Sequence, residues 1–338
     1  MPAPPSDVVV DKFGGSVLRR PEDIAAAADV VARQRAAGLR PVVVVSAFEG
    51  VTDAILTSAT ALLGPGAGGL RQTAQASDSA AARETDRALA TGEALSAALF
   101  ALGLQARGIP SRSFSGAEAG IRTAAAHLGA EVRRVLSRPL RAALADGLVP
   151  VVAGFQGIGT HGELTTLGRG GTDLTAVALA VALRAARCEL FKDVGGISEA
   201  DPHLVPSARL LTEVSARQLE LLAELGAEVV HPVAVRRARR GRLDLVVRAL
   251  ADEAPRTLVR PASREGDGVL MLAVERKDRI ARISLVGPAA LMPEVLPIPA
   301  HGEGAFDEGG MRVVWAEVPL ASADSAARAV HATFMSRA

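Results

Sequence analysis

Lys12-Phe13-Gly14-Gly15-Ser16 joins a lysine to two glycines where an apolar run, Val8 to Val10, gives way to a helix opened by Pro21. That combination suits a phosphate. Glycines let backbone N–H groups approach an anion, the lysine supplies a mobile point charge, and the next helix presents its positive end. Taken alone, Gly-Gly after a strand is also an ordinary turn. The more telling partner is Leu167-Gly168-Arg169-Gly170-Gly171-Thr172-Asp173, just ahead of an apolar helix. Arg169 offers a fork that matches a carboxylate or phosphate in two bonds, and Asp173 can position a lysine or accept from an amine. Capping by Thr172 or Asp173 explains the end of this segment but not Gly-Arg-Gly-Gly. Three groups are weaker when read singly. In Val45-Ser46-Ala47, followed by Thr52 and Asp53, Ser46 serves as well for a helix cap as for a substrate hydroxyl. Thr91-Gly92-Glu93 reads as a helix start, where a glutamate is favoured electrostatically in any case. Phe191-Lys192-Asp193-Val194-Gly195-Gly196-Ile197, running on to Asp201-Pro202, is a strand end and loop that either wraps a nucleotide base or merely connects.

The common placement of these groups, at strand ends and helix starts, gives them weight, because open α/β sheets bind ligands there. Short β-branched runs alternate with Ala/Leu-rich stretches of helical period: strand 7–13, helix 21–37, strand 41–46, helices to about 107 and strand 149–154. The pattern continues with helix 173–187, strand 188–192, helix 215–225 and strand 243–247, and it predicts a parallel sheet wrapped by helices. Residues 64–79 form one flexible-looking interruption. Asp252 to Gly268 is charged and rich in Pro and Gly, as domain boundaries are. The division expected is 1–255 and 266–338. The second part reads as a small α+β module with strands at 269–274, 280–286 and 313–318, a Gly/Glu turn before the last, and a helix at 322–334.

Composition narrows the function class. At 338 residues with 49% apolar content the chain can bury two cores. Lys and Arg number 38 against 37 Asp and Glu, aromatics are 3% and tyrosine is absent, which argues against nucleic-acid binding. Arg236, Arg237, Arg239, Arg240 and Arg242 lack interleaved aromatics and read as a solvated helix end. The single cysteine, Cys188, excludes internal disulfides and Cys-rich metal sites and reads as structural. No apolar run reaches the roughly 18 residues a membrane span needs, and Met1 to Asp7 is not a secretory leader, so the expectation is a cytoplasmic protein without membrane partners.

As a set, these residues resemble one family, the aspartate kinases of the amino-acid kinase superfamily. The resemblance rests on Lys12 to Ser16, Val44 to Ala47 with Thr52-Asp53, Gly92-Glu93 with Ser96, Gly154-Phe155-Gln156-Gly157, Leu167 to Asp173, Asp193-Val194 with Asp201-Pro202, and Gly226-Ala227 with His231-Pro232. It runs from residue 7 to about 250. It implies an α/β fold, a three-layer αβα sandwich around a mainly parallel sheet. It also implies transfer of the γ-phosphoryl of ATP to the β-carboxylate of L-aspartate, giving 4-phospho-L-aspartate. By this resemblance Lys12 neutralises the transferring phosphoryl, Gly14, Gly15 and Ser16 hold phosphate oxygens, and Asp173 orients Lys12. Glu93 meets the substrate amine and Arg169 its α-carboxylate, with Ser46, Thr52, Gly170 and Gly171 in the same pocket. Lys192, Asp193, Asp201 and Pro202 serve the nucleotide. Mg²⁺ is implied, carried by phosphates and water, with no protein metal ligands.

The chain departs from the family in three places. The family's Asp-Val-Asp-Gly is here Asp193-Val194-Gly195-Gly196, and His203 stands where a basic residue often follows Asp-Pro. Full-length members carry two ACT units that bind lysine or threonine, whereas the seventy residues after Gly268 resemble one shortened ACT unit whose middle helix is replaced by a Pro/Gly stretch. The expectation is insensitivity to lysine and threonine, with a homodimer through the ACT-like part. Two other readings stay open: a kinase of another carboxylate, and a catalytically silent ligand-binding relative.

Overall fold

The computed structural model describes residues 6–64, 79–227, 229–251, 254–261, 269–308 and 310–335. Most of the interruption expected at 64–79, and most of the boundary stretch 252–268, lie outside these residues. The chain forms two compact units, residues 1–193 with 248–254, and residues 194–247 with 255–338. The catalytic and ACT-like division of the sequence is drawn on different grounds, and stays a proposal.

In the first unit the order is β1 (Val8–Phe13), α1 (Ile24–Ala36), β2 (Arg40–Val45), α2 (Val51–Leu63), α3 (Ala80–Gln105), β3 (Ser111–Phe114), β4 (Ile121–Thr123), β5 (Val132–Val135), α4 (Arg138–Ala145), β6 (Val149–Ala153), β7 (Gln156–Ile158), β8 (Leu164–Thr166), α5 (Gly171–Leu183) and β9 (Arg187–Phe191). Five strands make a parallel sheet in the order β9-β1-β2-β6-β3. Strands β1, β2 and β6 read as near-continuous Val runs because both faces are covered. The short strands β5-β4-β7-β8, which the sequence pattern does not reveal, form a second sheet.

Strand β1 lies between β9 and β2 and is buried at every position. Alternation sends its residues to opposite faces. Val9, Asp11 and Phe13 face α1 and α3, where Phe13 stacks between Phe100 and Phe191 at centroid distances of 5.4 and 4.7 Å. Phe13→Ala is expected to cost about 3–5 kcal/mol of stability in urea unfolding, since both neighbouring rings lose a partner. On the same face Asp11 accepts from Gln34 Nε2 at 3.0 Å and lies in register with Glu189, which accepts from Arg187 Nε at 2.7 Å. Burial, and then the neighbouring Glu189, push the Asp11 carboxyl well above the usual carboxylate range. Lys12 points to the other face, towards α5. Cys188 is buried and its thiol is pushed up by burial, as expected of a structural cysteine.

The second unit contains β10 (Ile197–Ser198), β11 (Leu210–Leu211), β12 (Glu213–Ser215), α6 (Ala216–Glu224), α7 (Pro232–Arg240), β13 (Leu245–Arg248), β14 (Arg256–Arg260), β15 (Met271–Lys277), β16 (Ile280–Pro288), β17 (Gly302–Glu308), β18 (Met311–Pro319) and α8 (Ala323–Phe334). An antiparallel sheet β15-β16-β18-β17 packs against α8 through Ile283, Leu285, Val314, Ala327 and Val330, which fits an ACT-like module. Where the sequence suggests a Gly/Glu turn, the structure has β17, paired along its whole length with β18. An edge strand of glycines and acids has little strand propensity of its own and is held by its partner. Two of the arginines expected in solvent are otherwise engaged: Arg236 and Arg239 donate to the buried Glu220 at 2.6 and 2.9 Å. Glu199, next to Ala200-Asp201, is equally buried. It accepts from Arg209 and lies 2.9 Å from His331 Nε2 on α8.

Candidate active site

One cavity of about 450 Å³ lies at the carboxyl ends of β1, β2 and β9 and the start of α5. Lys12, Gly15, Ser16, Ser46, Thr52, Glu93, Arg169, Gly170, Gly171, Asp173 and Lys192 all line it, so most of the residues singled out in the sequence come together. Gly14 forms the turn behind them, accepting from Val17 and Leu18 through its carbonyl. Asp193 lines a second cavity of about 790 Å³ that shares Ser16 and Lys192 with the first and adds Arg19 and Arg20. Asp201 and Pro202 belong to the second unit, where the Asp201 carboxylate accepts from the His203 N–H at 2.9 Å.

The electrostatic centre is a three-membered ion group. Lys12 Nζ stands 2.8 Å from Asp173 Oδ1, and Lys192 Nζ 3.1 Å from Asp173 Oδ2. Burial alone would push Asp173 up, but the two ammonium groups, Lys12 foremost, outweigh it and hold the carboxyl at about 2. Lys12 itself is pulled below the ordinary lysine value, first by burial, with Asp173 opposing and Lys192 reinforcing. The two shifts are consistent, since one carboxylate shared by two cations is over-compensated while each cation is under-compensated. This group of three is left with one surplus positive charge.

Glu93 corrects the sequence reading. It is not at a helix start but in the middle of the 26-residue α3, so no helix terminus favours its charge. Gly92 brings it to the cavity: a Cβ there would fall 2.9 Å from Ala47 Cβ, so only glycine lets α3 pass this close. Glu93 Oε1 accepts the Ala47 N–H at 3.1 Å, while Oε2 is buried with no partner. Burial raises its carboxyl to about 7. The capping readings of Ser46, Thr172 and Asp173 are likewise not realised: α2 and α5 begin after Gly50 and Gly170, with no side-chain cap.

The Arg169 loop turns on Gly168 and Gly170, both left-handed with φ of 73° and 71°. Arg169 is exposed at the cavity rim. Glu49, which also lines the cavity, carries no marking chemistry in sequence, and Phe155, part of the Gly154–Gly157 motif, lines it too. Phe155 has φ 64°, a backbone state that costs a non-glycine residue energy and marks functional sites more than loops at large. Among the described residues no group of three or more His, Cys, Asp or Glu gathers in metal-ligating geometry.

The Amino acid kinase family profile matches residues 7–249. Aspartokinase 2 of Bacillus subtilis is 37% identical over 280 residues, 83% of this chain and 65% of that one. An aspartokinase of Geobacillus stearothermophilus is 35% identical over 291 residues, 86% and 68% of the two chains. The chain thus spans about two thirds of the length of these curated relatives. E. coli aspartokinase III, solved with aspartate and ADP, superposes with a TM-score of 0.78 over 96% of this chain and 99% of that one, at 21% identity, and shares the fold. A match covering most of the first unit, joined to relatives above 30% identity, places this chain in the amino acid kinase family, among the aspartokinases.

Proposed function

We propose that the chain is an ATP-dependent phosphotransferase with a carboxyl acceptor, moving the γ-phosphoryl of ATP to the β-carboxylate of L-aspartate. The observation that carries this is the unbalanced charge at Lys12, Asp173 and Lys192. Two ammonium groups around one carboxylate, that of Lys12 buried and that of Lys192 partly so, stand ready for an anion, and the Gly14-Gly15-Ser16 turn beside them supplies backbone N–H groups. In this reading the triphosphate enters along Ser16 and Lys192. Asp193, on the second cavity, serves the nucleoside. Mg²⁺ accompanies the nucleotide on phosphate oxygens and water, because Asp173, the carboxylate beside Lys12, is already engaged by two lysines.

The acceptor is read from the other end of the cavity. The partnerless Glu93 Oε2 fits an ammonium, and the Arg169 fork fits an α-carboxylate. An α-amino acid held at both points extends its side-chain carboxylate towards Lys12, with Ser46, Thr52, Gly170 and Gly171 walling the space between. No covalent protein intermediate is required. The substrate oxygen attacks phosphorus, the bond to ADP breaks, and Lys12 offsets charge on the equatorial oxygens. An acceptor with an acylated amine leaves Glu93 without its cation, which weighs against N-acetylglutamate and its like. A cytoplasmic homodimer joined through the ACT-like module belongs to the same reading.

The test traps the acyl phosphate with hydroxylamine. Hydroxamate formed from ATP and L-aspartate, and not from N-acetylglutamate or without acceptor, is the expected result. Hydroxamate with N-acetylglutamate alone would reassign the substrate, and none with any acceptor would favour a silent ligand-binding protein.

A further inference from the structure

We propose that Asp86 is a positioning residue that sets the Arg169 loop at a fixed distance from Glu93, so that α3 measures the separation between the amine and the carboxylate of the substrate. The inference rests on the roles of Glu93 and Arg169 given above and assigns a residue outside the cavity. Asp86 and Glu93 lie seven residues apart on α3, two turns of one face or about 10 Å along the axis. Asp86 is fully buried and both its oxygens are engaged. Oδ2 lies 2.7 Å from His127 Nδ1. Oδ1 accepts the Leu128 N–H at 3.1 Å and the Thr166 hydroxyl.

Those three partners flank the Arg169 loop. Thr166 ends β8, three residues before Arg169, and its carbonyl accepts the Ala130 N–H at 2.8 Å. Leu128 is held at φ 62°, and Gly168 packs with its Cα so near that a Cβ there would lie 3.4 Å from Gly129 Cα and 3.5 Å from the Leu128 carbonyl. The left-handed turn at Leu128 therefore forms a shelf under Gly168, and the Asp86 carboxylate fastens that shelf to α3. A second tie runs beside it, from Gln156 Nε2 to the Ala90 carbonyl at 3.1 Å. Desolvation of a carboxylate with three donors is costly, and a core needing only packing would be served by an apolar side chain.

Asp86→Asn keeps size and shape but cannot accept from all three donors. Initial rates should show KM for L-aspartate raised at least tenfold, with kcat and KM for ATP within about twofold of wild type. The preference for L-aspartate over its α-amide should fall at least fivefold, because Arg169 no longer sits where a carboxylate needs it. The preference for L-aspartate over succinate, which reads Glu93, should be unchanged. Thr166→Val, which removes one bond to Asp86 only, should shift KM and the α-amide preference the same way by about threefold, and serves if Asp86→Asn does not fold. Unchanged α-amide preference in both variants would overturn the proposal, as would a uniform loss of kcat and both KM values with lowered Tm. A wild-type protein that forms no hydroxamate from aspartate would instead remove the reading on which it stands.

Discussion

Lys12→Ala is expected to lower kcat for aspartyl phosphate formation by roughly 10³-fold while changing KM for aspartate less than about threefold. The side chain lies on the cavity floor, nearly out of water, where a charge interacts far more strongly with a developing phosphoryl charge than it would at the surface. Removing it also leaves Asp173 facing only Lys192, so the surplus positive charge that would draw the phosphates in is gone. Steady-state rates from the hydroxylamine assay decide the matter, and a variant that kept more than a tenth of wild-type kcat would refute the proposed role. Arginine is not expected to restore activity. A Cβ at Gly14 would fall 2.7 Å from Lys12 Nζ, which shows how little room surrounds that end of the side chain for a planar guanidinium.

Glu93→Gln should raise KM for aspartate by about 10²-fold, the effect of losing one charge-assisted contact in a buried setting. Its pH behaviour is the sharper test. In the empty site burial holds the carboxyl at about 7, so the form able to receive an ammonium fades as pH falls through that value. The free-enzyme quantity kcat/KM for aspartate should therefore decline below about pH 7, approaching tenfold per pH unit, while kcat at saturating aspartate should not, because a bound ammonium keeps the carboxylate ionised. Glutamine does not titrate, and the acid limb of kcat/KM should vanish with it. A limb that persists in the variant would assign it to another group. The same shift weakens folding as pH rises from the unfolded value towards 7, since the buried native carboxyl holds its proton longer than the unfolded chain does.

How much of this was legible in the sequence differs from residue to residue. Lys12, Arg169 and Asp173 were legible because glycines surround them and glycine patterns mark backbone geometry directly. Glu93 was found through the family resemblance alone, whereas its local reading as a helix start fails: Gly92 lies inside α3, where its missing side chain serves a close approach to Ala47. Lys192 was assigned to the nucleotide with no hint of its pairing with Asp173, since two residues nineteen positions apart carry no local signal of contact. The Asp86 network was wholly hidden, because its partners lie 41, 42 and 80 residues away. Strand β17 was missed because, Phe306 apart, its glycines, alanine and acids have little strand propensity and its partner supplies the order. The parallel sheet itself was plain, as buried strands must be apolar on both faces.

Strand β1 carries an acid and a base back to back, Asp11 towards α1 and Lys12 towards α5, with hydrogen-bonded neighbours on either side. The arrangement divides the labour of adjacent codons. A change at position 11 is answered by Gln34 and Glu189, deep among residues that never meet a ligand, whereas a change at position 12 is answered in the cleft. Variation in one can accumulate without disturbing the other, provided the count between them holds. A single inserted or deleted residue in this strand exchanges the two faces at once, presenting an acid to the anion and a lysine to the interior. The strand thus tolerates drift in its letters far better than drift in its spacing.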